Sequence, residues 1–183
     1  MSQIWNSLNY EIILLLFKEH IYGREIAKRL KEPLTNVQRT LKKLNNQNII
    51  EYKTVGKSKV YSIKKNLKAK NFVFNAENYK LIKLLDKKPI LETVFNKLSA
   101  LDSDLIILFG SYAKFIAKEG SDIDIYIESK NKNIKKEAEM INSKINVKTG
   151  SFNKTDLLIK EIIKNHIIIK GVEKFYEKTG FFE

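Results

Sequence analysis

The chain has 183 residues, of which 43% are hydrophobic and 30% charged, a balance that excludes global disorder and fits one ordinary domain or two small ones. Its 34 Lys and Arg outweigh 21 Asp and Glu to give a formal charge of +13, so a polyanionic partner is expected. The absence of cysteine excludes disulfides and thiolate metal sites, and two histidines leave little from which to build a zinc site.

Residues 1–68 carry 14 Lys and Arg against five acids, a net +9, whereas residues 69–183 carry 20 against 16, a net +4. The asymmetry predicts a basic binding module followed by one of more balanced chemistry, with a merely solvated lysine surface as the plain alternative. Leu8, Ile12, Leu15 and Leu16 recur at helical spacing through Lys18. The apolar run Ile12–Phe17 is too short to span a bilayer and residues 1–11 lack the basic stretch of a signal peptide, so a cytoplasmic chain without membrane contact is expected. A second amphipathic stretch, Gly23 to Lys31, turns Ile26, Ala27 and Leu30 inward. Pro33 then opens a third helix, with Val37, Leu41 and Leu44 as its buried stripe and Asn36, Gln38, Arg39, Lys42 and Lys43 on its other face. Ile49–Thr54 and Lys59–Ile63 read as strands joined by a turn at Gly56 and Lys57.

Three helices and a basic hairpin in this order resemble a winged helix-turn-helix, over roughly residues 8–66. The resemblance implies that residues 1–68 bind double-stranded DNA with the third helix in the major groove. Asn36, Gln38 and Arg39 would read base edges, and Lys42, Lys43, Lys57 and Lys59 would meet phosphates. A homodimer on a twofold site is an arrangement that such a module allows, and a winged helix kept for protein contacts is the alternative.

Residues 69–100 are rich in aliphatic and aromatic side chains, contain no Gly- or Ser-rich stretch, and have Pro89 ahead of a helical pattern ending at Leu98, so a packed helical connector is expected. Residues 101–183 hold the chemistry. Leu105–Phe109 is a continuous apolar strand that Gly110-Ser111 ends ahead of a helix-like Tyr112–Ala117. After ten intervening residues, Tyr112 to Ser121, comes Asp122-Ile123-Asp124, opening a second strand through Ile127 that puts both carboxylates on one face. Paired carboxylates at that spacing can ligate Mg²⁺, Gly110 permits close approach of a phosphate, and Ser111 can donate to its oxygens. Lys144–Lys148 reads as a further strand, Lys154–Lys164 as a helix, His166–Ile169 as a strand and Val172–Lys178 as a last helix, with His166 taken as a surface or strand-end residue.

Gly110, Ser111, Ser121, Asp122 and Asp124 at this spacing resemble the signature of the polymerase-beta-like nucleotidyltransferases, especially the minimal ones. The resemblance implies an α+β chain, a winged helix followed by a mixed sheet flanked by helices. It further implies ATP or another nucleoside triphosphate bound with Mg²⁺ or Mn²⁺, with Gly110, Ser111 and Lys114 on the phosphates and Asp122 and Asp124 as catalytic metal ligands. The expected reaction is transfer of a nucleoside monophosphate, AMP first among them, to a macromolecular hydroxyl, with a protein acceptor as in adenylylating antitoxins. Two departures stand out. Asn146 occupies the place where a third carboxylate is expected, and neutral Asn is no general base; Asp156 and Glu128 are the acids considered as substitutes, and no spacing places either. Lys114-Phe115 replaces the arginine-glycine of many relatives, which keeps the charge and loses the bidentate fork. The alternative is therefore a DNA-binding regulator whose degenerate transferase domain only binds nucleotide or mediates assembly.

Overall fold

The computed structural model describes residues 7–131 and 133–183. They divide into two compact units, one extending to Tyr79 and including Phe182–Glu183, the other spanning Lys80–Phe181.

The first unit contains α1 (Ser7–Lys18), β1 (Ile21–Tyr22), α2 (Gly23–Leu30), α3 (Leu34–Asn46), β2 (Ile50–Val55), β3 (Ser58–Ile63) and the beginning of α4 (Leu67–Lys87). Ile12, Ile13 and Leu16 of α1, Ile26 and Ala27 of α2, and Val37, Leu41 and Leu44 of α3 are buried, the stripes that a 3.6-residue period produces. Pro33 precedes α3 with its carbonyl accepting from Asn36 N and Val37 N, and Asn48, at φ +63°, turns the chain out of that helix. The antiparallel sheet has the order β1-β3-β2, with Tyr52 opposite Tyr61. A side-chain cap opens α4, where Asn66 Oδ1 accepts from Ala69 N at 2.9 Å.

The second unit adds α5 (Ile90–Ser99), β4 (Ile106–Leu108), α6 (Gly110–Ala113), β5 (Ile123–Glu128), α7 (Ile134–Glu139), β6 (Ile145–Gly150), α8 (Leu157–Lys164), β7 (Ile167–Lys170) and α9 (Val172–Thr179). Of the two helices in residues 69–100, α4 runs across the boundary between the units and α5 lies wholly in the second. The sheet order is β6-β5-β4-β7, with β4 antiparallel to both neighbours and β5 parallel to β6. That parallel pair explains α7, which had no separate signal in the sequence, because parallel neighbours need a crossover. Ile123, Ile125 and Ile127 face one side, packing in a core with Leu91, Val94 and Leu98 of α5. Asp124, Tyr126 and Glu128 face the other.

The expected helix after Ser111 stops at Ala113 because Phe115 adopts φ +58°. His166 is at a strand end as read, but it is buried rather than at the surface. Its Nδ1 lies 2.9 Å from the Ile162 carbonyl oxygen and its ring 4.3 Å from that of Phe175.

Tyr126 ties the two parallel strands together beyond their ladder, its buried hydroxyl donating to Gly150 O at 2.9 Å. Burial pushes its phenol well above the ordinary tyrosine range, so it stays a donor at any physiological pH. Tyr126→Phe strips the Gly150 carbonyl of that donor and is expected to cost about 1–2 kcal/mol. Urea unfolding reads this as a lower midpoint at constant slope.

Candidate functional site

The carboxylate site is set by how β4 ends. Phe109 is extended (φ −132°, ψ −163°) and its N–H donates to Asp124 O at 2.9 Å, which fixes the turn against β5. Gly110 follows at φ +69°, and a Cβ there would overlap Asp124 Oδ2 and lie 3.0 Å from its Cγ. Both the left-handed backbone and the missing Cβ are needed to bring the turn against the carboxylate. Ser111, half-buried, is the second residue of α6.

Asp124 is half-buried on β5, while Asp122 is exposed and lies just ahead of the strand, whose ladder begins where Ile123 N donates to Lys144 O at 2.8 Å. Ser121 Oγ accepts from Lys118 N at 2.9 Å and holds the approach to Asp122. Asn146 stands opposite Asp124 in the parallel register, and its Nδ2 donates to Asp124 Oδ1 at 3.0 Å. The amide thus reaches the carboxylate from the neighbouring strand. Glu128 lies four residues further along β5, about 13 Å away at strand spacing, and is engaged by Phe152 N at 3.1 Å and Lys178 Nζ at 2.9 Å. Asp156 is exposed ahead of α8. Among the described residues no cluster of three or more His, Cys, Asp or Glu could hold a metal. Asp122 and Asp124 supply a two-carboxylate oxygen set, which suits a hard divalent cation that completes its shell with water and phosphate oxygens.

Lys114 follows α6, and its Nζ pairs with Glu161 Oε1 of α8 at 2.7 Å. No spacing in the sequence announces Glu161, since the pair joins residues of different elements. Phe115, beside it, is half-buried and packs against the core with a left-handed backbone.

On the first unit, Gln38, Arg39, Lys42 and Lys43 are exposed along α3, and Asn36 is half-buried, its Oδ1 accepting from Arg39 Nη2 at 3.3 Å. Gln38, Lys57 and Lys59 line one cleft between the helices and the hairpin, together with Arg24 of α2. Arg24 was missed because nothing in the pattern of α2 aims it at that cleft. Lys59 Nζ also sits 4.0 Å over the Tyr52 ring.

The hydrogen bond from Lys114 holds the Glu161 carboxyl below its ordinary range. Because the folded value is depressed, the pair is present above the unfolded glutamate pKa and is lost as pH falls through the lower folded value. Carboxyl carbon NMR of Glu161 should show this low titration, and Lys114→Met should raise it toward the ordinary range, with Asn165 still bonded to the carboxylate; an unchanged titration in that variant would mean the pair does not persist in solution.

Residues 80–174 match the polymerase beta nucleotidyltransferase family, and residues 24–64 match the TBPIP/Hop2 winged helix domain. No curated protein matches the chain. Among solved structures, a cysteine-to-serine mutant of Lactococcus lactis ZitR is similar at 20% identity and a TM-score of 0.41, covering 50% of this chain and 64% of that one. The adhesin competence repressor AdcR of Streptococcus pyogenes is similar at 16% identity and a TM-score of 0.41, covering 50% and 68%. The chain thus spans less than two thirds of the length of ZitR. Among the described residues no helix is long and apolar enough to cross a membrane. With just over half of its length matched between residues 80 and 174, the chain belongs to the polymerase beta nucleotidyltransferase family.

Proposed function

We propose that this protein binds DNA through its winged helix and is a nucleotidyltransferase that moves a nucleoside monophosphate, adenylyl in the first instance, from a nucleoside triphosphate to a macromolecular hydroxyl. The observation that carries the reading is the contact of Gly110 with Asp124, a turn without a side chain pressed against a carboxylate. Such a turn brings backbone rather than a side chain against the acid, so a triphosphate held by a cation on that acid would meet the turn with no side chain between them. Asp122 and Asp124 would hold Mg²⁺ or Mn²⁺ with the nucleotide; when bound, the cation neutralises charge on the transferring phosphate. Gly110 and Ser111 would cradle the distal phosphates, and Lys114 would exchange Glu161 for a phosphate oxygen. The acceptor oxygen forms a bond to the α-phosphorus, the bond from that phosphorus to the bridging oxygen breaks, and pyrophosphate leaves with the electron pair. The hydroxyl proton would pass to solvent water, because the neutral amide of Asn146 cannot take it.

A second reading, a DNA-binding regulator that holds nucleotide without transferring it, is favoured by the hydrogen bond from Asn146 to Asp124. The two are separated by incubating the full chain with α-labelled nucleoside triphosphates and Mg²⁺, alone and with candidate protein or nucleic-acid acceptors. Label on an acceptor that disappears in Asp124→Asn supports transfer. Binding without label supports the regulator. The reading of the site requires that Asp122→Asn with Asp124→Asn abolish Mg²⁺-dependent nucleotide binding by calorimetry while the fold persists. Asn146→Asp, which restores a base beside Asp124, should raise turnover by about 10²–10⁴-fold.

For the winged helix, Arg39→Ala should cost about 1–3 kcal/mol on a preferred duplex and flatten sequence preference. Lys57→Ala or Lys59→Ala should weaken all duplexes alike and lower the slope of log affinity against log salt by about one unit each. Fluorescence anisotropy on specific and random duplexes over a salt series checks both, and salt-insensitive binding would overturn the assignment of DNA as partner.

A further inference from the structure

We propose that the cleft of the first unit, between the starts of α2 and α3 and the β2–β3 hairpin, binds a free ribonucleoside phosphate, and that a nucleotide seated there excludes duplex DNA from the winged helix. The cleft measures about 800 Å³, a size that suits a small ligand, and Arg24, Glu25, Gln38, Lys57, Lys59 and Tyr61 line it. Strand alternation places its floor. Ile50 pairs with Ile63 and Ile21 with Tyr61, and all three isoleucines are buried, so Tyr61 and, two residues earlier, Lys59 project from the helix-facing side of the sheet. Tyr61 is half-buried, beyond the last fully covered residue of that side. It abuts the first residue of α2, Gly23, where a Cβ would lie 3.8 Å from Tyr61 Cε2 and 3.4 Å from Leu41 Cδ1.

Three cations and one acid line the cleft. Arg24 and Lys57 are exposed and make no ion pair among the described residues, whereas the neighbouring Arg29 is engaged by both Glu19 and Glu25. Two such cations suit a phosphate group. Burial raises the Tyr61 phenol, which therefore stays neutral at physiological pH and sets no charge against an anion, while its ring offers a stacking face to a base. The Gln38 amide carries the donor and acceptor that pair with an adenine edge. Glu25 separates a free nucleotide from the DNA backbone. Its Oε1 accepts from Arg29 Nε at 2.8 Å, and that bond holds its carboxyl below the ordinary range, so it is ionised at neutral pH. A DNA backbone presents only acceptors to a carboxylate, but a ribonucleotide presents sugar hydroxyls that donate to it. Phosphate, base and sugar each find a counterpart in the cleft, whereas the outer stretch of α3 offers Lys42 and Lys43 with no acid or aromatic beside them in the helix. Exclusion of duplex, through the shared Gln38, Lys57 and Lys59, rests on the DNA-binding reading; nucleotide binding itself does not.

The test titrates the full chain with ATP in EDTA, where the Mg²⁺-dependent site proposed on the second unit is silent, and reads binding by calorimetry. ATP should bind, and 2′,3′-dideoxy-ATP and inorganic triphosphate should each bind at least fivefold more weakly. Arg24→Gln should weaken ATP about tenfold or more, and Tyr61→Leu about fivefold or more, while Tyr61→Phe keeps the affinity. Arg24 is exposed, so its variant remains informative if Tyr61→Leu fails to fold. Anisotropy of a labelled duplex should show an apparent Kd that rises in proportion to free ATP. Lys42→Gln, outside the cleft, should weaken the duplex and leave ATP unaffected. Absence of ATP binding in EDTA would overturn the proposal, as would inorganic triphosphate binding as tightly as ATP, which would make the cleft a plain polyanion surface. Unchanged ATP affinity in Arg24→Gln would place the nucleotide elsewhere and overturn it too, and simultaneous binding of ATP and duplex would overturn the exclusion. The readings stay apart: ATP binding in EDTA should persist in Asp122→Asn with Asp124→Asn, so loss of label transfer defeats the transferase reading alone, and loss of the Arg24 effect defeats this proposal alone.

Discussion

The second unit depends on the parallel register of β5 and β6. Because side chains alternate along a strand, the pairing that sets Ile123 beside Ile145 and Ile125 beside Val147 buries four apolar residues on one face, and by the same step sets Asp124 beside Asn146 on the other. A slip by one residue would drive Asp124 into the core and expose the isoleucines, a change that burial alone forbids. The face that carries Asp124 is set by the same register. Its geometry is inherited from hydrophobic packing on the opposite side, and the turn at Gly110 is then drawn in by the hydrogen bond from Phe109 to Asp124 O.

Much of this organisation is legible in the sequence where the signal is periodic. The stripes Val37-Leu41-Leu44 and Ile123-Ile125-Ile127 report the faces of α3 and β5 directly, and Gly110 reports its turn, because each is a local consequence of local geometry. What escapes is set by tertiary pairing. β1 is two residues long and carries no alternation to read; it is a strand because Ile21 and Tyr22 find Tyr61 and Val60 of β3. The contact of Lys114 with Glu161 links α6 to α8 with no pattern to announce it, and Arg24 faces the cleft of the first unit only once β3 has folded beside it. Asn146 is the instructive case. Its position relative to Asp124 could be expected from the strand order implied by resemblance, but the bond its amide makes depends on the register.

Phe115 shows how packing overrides local preference. A left-handed backbone is costly for a bulky side chain, roughly 1–2 kcal/mol, and glycine is the residue that avoids it. Yet the Phe115 ring joins the core of the second unit, and the ammonium groups of Lys83 and Lys87 lie 5.8 and 5.3 Å from its centroid. Half-burial of the ring recovers roughly half of the about 3 kcal/mol that full burial of an aromatic side chain gives, with weaker cation–π attraction beside it. Packing is thus of the same size as the backbone strain and offsets it, and α6 is held to a single turn. This also fixes where Lys114 emerges, one residue before the strained position.

The two units distribute charge in opposite ways, and the difference bears on how each meets an anion. On α3 the cations are presented to solvent with little opposing charge, so a phosphate backbone would meet them directly. At the carboxylate site the cation nearest the turn, Lys114, is already engaged by Glu161 at 2.7 Å, and Asp124 has one oxygen committed to Asn146. An anion arriving there must compete with a carboxylate for Lys114. Because that pair is partly exposed, solvent screens it and its rupture costs little. Glu161 therefore holds Lys114 in place, and if the site takes the triphosphate proposed for it, that multiply charged ligand, which offers the ammonium more negative charge than one carboxylate does, would displace it where a single carboxylate would not.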